Sequence, residues 1–268
     1  ALSTGWLGLS LAEFTLPVLT VFLLTFIEWR DIWFSISILV IIILPIISYV
    51  LVKDVKLETR EKSSVSENTK EIRQWKRIEV LKDYRFYIIS MTMLAMPWIA
   101  TGSFVYQSFI TTSKGWGPYI IAQSFMVYSI LSVITLFISG FLIDKFSSRK
   151  LLIYMNIPLL FATVVLFYFN AQISSFFFFG LLGITNGLAN VLGSSTWAEI
   201  YGVRFVGSIK ALTTALMVFA TAFGTALFGI LIDYGFGIEQ IAIVSGSYIL
   251  TSIILLYLIR NKLNPQYL

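Results

Sequence analysis

The sequence predicts an all-α, polytopic membrane bundle of about eight transmembrane helices, and three observations carry that reading. The 268 residues are 57% hydrophobic and only 12% charged, with a mean hydropathy of +0.86, outside the range of soluble domains. Apolar stretches recur at about 1–27, 31–52, 86–112, 117–143, 151–170, 174–198, 206–232 and 240–259, each near the roughly 20 residues that a helix needs to cross ~30 Å of hydrocarbon. The basic residues, finally, fall almost wholly in alternate loops.

The first span opens at Ala1, already inside an apolar run. No basic leader or small-residue cleavage site precedes it, so it does not read as a signal peptide, and the expectation is a fragment of a longer chain. Glu13 is the one acidic residue well inside a span. A charge at the bilayer centre costs about 2.5–3.5 kcal/mol on insertion scales, so Glu13 should face a cavity or a partner. It is a candidate coupling group, or else a structural acid near the rim.

Between the second and third spans lies the one long polar segment, 53–85, with ten basic and seven acidic residues. Its middle, Ser63 to Asn68, reads as flexible linker. Ile72, Trp75, Ile78 and Leu81 then recur every three residues among basic side chains, the pattern of a short amphipathic helix on a membrane face, with Asn68 and Glu71 spaced as a capping box. With the N-terminus placed in the cytoplasm, loops 53–85, 144–150, 199–205 and 260–268 are cytoplasmic. With Lys210 just inside its helix, they carry 17 Lys and Arg, against Arg30 and Lys114 outside. The positive-inside rule fixes that orientation. The net charge of +5 is thereby explained by topology, and nucleic-acid binding is not expected. Trp29, Trp116, Tyr119 and Tyr201 stand near span ends, as an interfacial belt would. The run Phe176 to Phe179 reads as lipid-facing or packing bulk.

Absences narrow the chemistry. The chain has no Cys and no His, which removes disulfides, thiolate nucleophiles, the common zinc and haem ligands and the usual catalytic base. No G-x-x-x-x-G-K-[ST] loop is present to bind nucleotide phosphates. No enzyme activity and no cofactor is expected. A membrane enzyme or scaffold of eight helices is the alternative reading.

The last six spans carry a repeat. Gly140-Phe-Leu-Ile-Asp144 closes the fourth span and Gly229-Ile-Leu-Ile-Asp233 the seventh, an offset of 89 residues that also relates the starts of spans three and six. Three spans is an odd number, so the two copies are inverted across the membrane, as in secondary transporters.

The most specific motif is Gly140-Phe-Leu142-Ile-Asp144-Lys145-Phe-Ser147-Ser148-Arg149-Lys150. Gly140 permits close backbone approach. Asp144 at a helix C-terminus opposes the macrodipole, so it calls for Lys145, Arg149 or the N-terminus of another helix, such as the first span near Leu2 to Gly8. The segment resembles the cytoplasmic loop signature of the major facilitator superfamily, G-x-L-x-D-[RK]-x-G-x-[RK]-[RK]. It matches at Gly140, Leu142, Asp144, Lys145, Arg149 and Lys150 and departs at Ser147, where the family has Gly. The resemblance implies that residues 1–53 are the last two helices of the N-terminal transporter half. Residues 54–85 would be the cytoplasmic linker, and 86–268 the C-terminal six-helix half. Four earlier helices, with half of the cavity, would be missing.

It also implies the function: secondary active or facilitative transport of a small solute by alternating access, in the plasma (inner) membrane. The expected partners are that solute, a co-transported ion where transport is coupled, the bilayer and the missing helices of the same chain. Asn186 and Asn190 lie four apart on one face of span six among Gly180, Gly183, Gly187 and Gly193. They are candidates for the substrate cavity, with helix–helix bonding as the other use of buried amides. Gln107 in span three, and Gln123 and Tyr128 in span four, are further cavity candidates.

Overall fold

The computed structural model describes residues 2–52 and 73–267. Eleven α-helices run through them in order: α1 (Leu2–Leu23), α2 (Trp29–Val52), α3 (Arg77–Lys82), α4 (Tyr84–Val105), α5 (Gln107–Lys114), α6 (Pro118–Phe146), α7 (Ser148–Leu151), α8 (Ile157–Tyr168), α9 (Ile173–Tyr201), α10 (Val206–Asp233) and α11 (Ile238–Ile259). Seven segments are long and apolar enough to cross a membrane, and Leu11–Leu23 of α1 is a shorter apolar helix beside them. Lipid accounts for their unpolar exteriors: Phe141, Phe177, Val218, Phe219 and Leu258 are all more than half exposed.

Two of the expected spans are interrupted. The third breaks at Tyr106, whose dihedrals (φ −98°, ψ 25°) leave the helical region between α4 and α5. Its ring stacks on Phe228 and its hydroxyl fills the space beside Gly229, so a tertiary contact holds the break. The fifth opens irregularly, through α7 and a 3-10 turn at Leu152–Tyr154, before α8. There Asn156 is fully buried and donates to the Thr92 carbonyl at 2.7 Å, while Pro158 sits in the first turn, where its missing N–H costs nothing.

The 89-residue offset is visible as architecture. It carries α4 (starting at Tyr84) onto α9 (starting at Ile173), α6 onto α10, and α8 onto α11. The most extensive contacts are α6 with α9, then α10 with α4, which is the same pair in the other copy. Likewise α8 packs on α9 as α11 packs on α4, and α8 meets α11. The body from α4 to α11 is therefore an inverted repeat of three helices plus three. α1 packs along α6, whereas α2 is almost wholly exposed, with Ile32 buried.

The two faces of the bundle are distinct. On one, the buried Lys114 ammonium donates to Asn170 Oδ1 at 2.8 Å and pairs with Glu239 at 3.0 Å. On the other, the N-cap Asp83 binds the buried Arg85 at 2.8 Å and accepts the Tyr201 hydroxyl at 3.0 Å. Arg85 also donates to the carbonyl of Lys262 at 3.0 Å, and the Arg73 N–H donates to that of Gln266 at 2.8 Å. Chain segments 73–85 and 260–267 are thus tied together across one membrane face.

This arrangement corrects two expectations, the start of the amphipathic helix and the interfacial belt. The amphipathic helix through Ile72 to Leu81 is helical from Arg77 onward, and Trp75 lies buried between Tyr201 and Arg73. Residues 53–72, with the Ser63 to Asn68 linker and the Asn68–Glu71 pair, lie outside the described residues. Trp116 and Tyr201 are buried rather than part of a belt, while Trp29 and Tyr119 are exposed. The phenylalanine run divides, Phe177 facing outward and Phe178 and Phe179 the core.

Candidate functional site

The glycines of α9 build the site by bringing helices close. Gly183 lies directly against the Tyr128 carbonyl of α6, and a Cβ on Gly187 would come within 2.5 Å of the Ser132 carbonyl. Small residues in membrane helices allow this approach. It sets Asn186 beside Ser132, whose hydroxyl oxygen accepts from the Asn186 amide at 3.0 Å.

One turn further, Asn190 makes no hydrogen bond among the described residues and looks into a cavity of about 300 Å³. α4 and α10 supply much of the remaining lining through residues such as Ser90, Met93, Thr213 and Met217, and Trp197 and Met155 complete it. Pro97 interrupts the α4 hydrogen-bond ladder beside this cavity. Gly193 borders it with no atom within 4 Å of its missing Cβ. Asn186 therefore has both uses that buried amides offer, bonded to a neighbouring helix and lining the cavity, while Asn190 has the cavity alone.

The other candidates separate. Tyr128 is buried and lines the same cavity. Gln107 does not: it lines a second cavity of about 670 Å³ between α1, α5 and α6, with Thr20, Ser108 and Thr112. The break at Tyr106 turns it there, away from the asparagines. Gln123 is exposed on the outer surface of α6, on the far side of that helix from the cavity residues. Glu13 is half-buried on α1, close enough to Tyr128 for the two side chains to interact electrostatically.

The loop motif is arranged differently from its expected pairing. Asp144 is exposed and has no hydrogen-bond or ion-pair partner among the described residues; the side chains from Leu2 to Gly8 lie outside them. Arg149 pairs instead with Glu199 of α9 at 3.0 Å. The same carboxylate accepts the Ser148 backbone N–H at 2.8 Å, so it caps α7 while holding the arginine. That double use makes Glu199 the better partner. Gly140, whose missing Cβ would meet nothing within 4 Å among the described residues, makes no close approach to them. Lys145 lies 5.3 Å from the Phe146 ring, and Lys150 is exposed. Ser147 holds φ +71° and ψ 147°, the left-handed φ of the glycine it replaces in the motif. The sequence reading missed Glu199, Ser90 and the four methionines around the cavity. Glu199 stood at a span end with nothing to mark it except a basic loop on the same face.

A bundle of membrane-crossing helices in inverted repeat, enclosing a cavity lined by an amide that has no partner among the described residues, is the architecture of a membrane transporter. The family model of the Major Facilitator Superfamily matches residues 1–181 and 87–267, two overlapping stretches that span nearly the whole chain. The chain belongs to that superfamily and is a multi-pass integral membrane protein. No curated protein matches it.

Proposed function

We propose that this chain moves a small solute by alternating access, as a secondary active or facilitative transporter. The cavity between α4, α6, α9 and α10 forms its wall of the substrate site. In this reading α1 and α2 are the last two helices of the N-terminal half, residues 54–85 join the halves on the cytoplasmic side, and 86–268 form the C-terminal half. The driving force is an ion gradient or the solute's own gradient. Glu13 is the candidate coupling acid, since its neighbour Tyr128 lines the cavity. The motif residues Gly140, Asp144, Lys145, Arg149 and Lys150 shape the cytoplasmic loop that the two halves share.

The observation that carries the reading is Asn190, a half-buried amide that lines the cavity and has no side-chain partner among the described residues. Its amide is bonded to no neighbouring helix among the described residues and borders the cavity, which leaves it free for a group from outside the fold. The test uses single cysteines in an otherwise cysteine-free transporter. Asn190→Cys in sealed vesicles should react with a membrane-impermeant thiol reagent applied from either side, and Val218→Cys, on the lipid face, from neither. Labelling of residue 190 from one side only, or not at all, would remove alternating access through this cavity. Asn190→Ala should also abolish most flux with membrane insertion unchanged.

A further inference from the structure

The character of the cavity wall goes further than its location, and the inference rests on the assignment of that cavity as the solute site. Among the described residues no Lys, Arg, Asp or Glu lines it, Glu13 included. Four of the six methionines of the chain, Met93, Met96, Met155 and Met217, are in the lining. A charged solute group placed against such a wall would lose its hydration with no counter-charge to replace it.

The polar atoms present are few and neutral. Ser90 is 6% exposed, and its buried hydroxyl has no hydrogen-bond partner among the described residues. The Asn190 amide on α9 has no side-chain partner among the described residues, and Asn186 has committed one amide hydrogen to Ser132. Two neutral groups that line one cavity, neither with a partner among the described residues, suit a ligand with one or two hydrogen-bonding groups on an apolar frame. Methionine side chains are unbranched and polarizable, so they adapt to the outline of what they touch.

We propose that the solute presents to this wall an uncharged, predominantly apolar body with a hydrogen-bonding group held between Ser90 and Asn190, and that the site selects on charge more strictly than on shape. A cavity of about 300 Å³, at the small end of the range for ligand pockets, suits a body of two fused or linked rings.

The experiment is calorimetric titration of the transporter in nanodiscs at pH 7 with four probes. They are 2-naphthamide and biphenyl-4-carboxamide (neutral, different shapes), 2-naphthoate (anion) and 2-naphthylmethylammonium (cation). The two amides should bind within about fivefold of one another, and either ion at least tenfold more weakly. Asn190→Ala and Ser90→Ala should each weaken the amides about fivefold, the worth of one net hydrogen bond. Size-exclusion profiles equal to wild type would show that the variants are folded. An ion that binds as tightly as the amides, and loses affinity in Asn190→Ala, overturns the charge class and leaves the site in place. Amide binding that is indifferent to both substitutions, or no binding of any probe, overturns the class and the site together.

Discussion

Gly224 of α10 lies directly against the backbone carbonyl of Trp98 in α4, and the inverted repeat makes this contact twice. Adding the 89-residue offset turns Trp98 into Gly187, and subtracting it turns Gly224 into Thr135. Thr135 Cβ is 2.8 Å from where a Cβ on Gly187 would stand. In each copy one partner is glycine, and the glycine has changed helix between copies.

Gly224→Ala should accordingly be destabilising, because the atom its Cβ meets is backbone and cannot move aside alone. Overpacking of this kind costs about 1–3 kcal/mol. A fall in melting temperature of detergent-solubilised protein would register it. Gly193→Ala, with open space around the new methyl, should leave melting unchanged while narrowing the cavity. Equal melting temperatures for the two variants would contradict the packing described.

At the loop between α6 and α8, Ser147 holds a backbone conformation (φ +71°, ψ 147°) that is nearly exclusive to glycine and costs about 1–3 kcal/mol in other residues. Ser147→Gly should therefore stabilise the protein, by roughly 1 kcal/mol once the greater freedom of glycine in the unfolded chain is subtracted. Glu199→Gln should act in the opposite direction at the same loop. It weakens the bonds to Ser148 and Arg149 and should raise amide exchange across 147–151. Protection there equal to wild type would show that Glu199 is not the anchor.

Acid should loosen the segment before α4. The Glu79 carboxylate is held below its ordinary value of 4.5, chiefly by the Lys76 backbone N–H and then by Arg73. A depressed folded-state value means that the stabilisation is fully present above about pH 4.5 and is lost as pH falls through the lowered value. Trp75, buried beside Arg73, is the reporter: its neighbourhood should open as pH falls through the lowered Glu79 value, seen as a red shift in emission from a variant retaining that tryptophan alone. Glu79→Gln should remove the pH dependence.

Topology is tested by position. Asn170 shares a face with Lys114 and Glu239, whereas Asn264 bonds Arg149 on the opposite one. The positive-inside rule puts the second face in the cytoplasm. A cysteine at 170 should be labelled in intact cells by an impermeant reagent, and one at 264 only after permeabilisation. The reverse result would invert the proposed orientation.

The helices were legible in the sequence because lipid imposes a minimum length and leaves apolar runs uninterrupted. The 89-residue echo of Gly140 to Asp144 at Gly229 to Asp233 was enough to locate the inverted repeat. What composition could not express was direction. Gln107 and Asn190 are both amides in long apolar stretches, and the break at Tyr106 sends one to a different cavity. Asp144 and Glu199 are both acids at a helix end, and only the turn at Ser147 decides which of them receives Arg149. Trp116 and Tyr201 sit near span ends by number but face inward, because neighbouring helices cover them.

The glycine contacts also determine where this bundle can flex. α6 and α9 touch backbone to backbone, and so do α4 and α10, so neither couple can slide without a collision of main chains. Between the couples the contact is sparser and is made by side chains, Phe104 against Phe125, Tyr128 and Phe179 and Phe86 against Trp197, which can shift without a collision of main chains. The cavity occupies that compliant joint. A solute lodged there would act as a wedge between two stiff blades, and its thickness, rather than its contact with any one residue, would set the angle at which they stand.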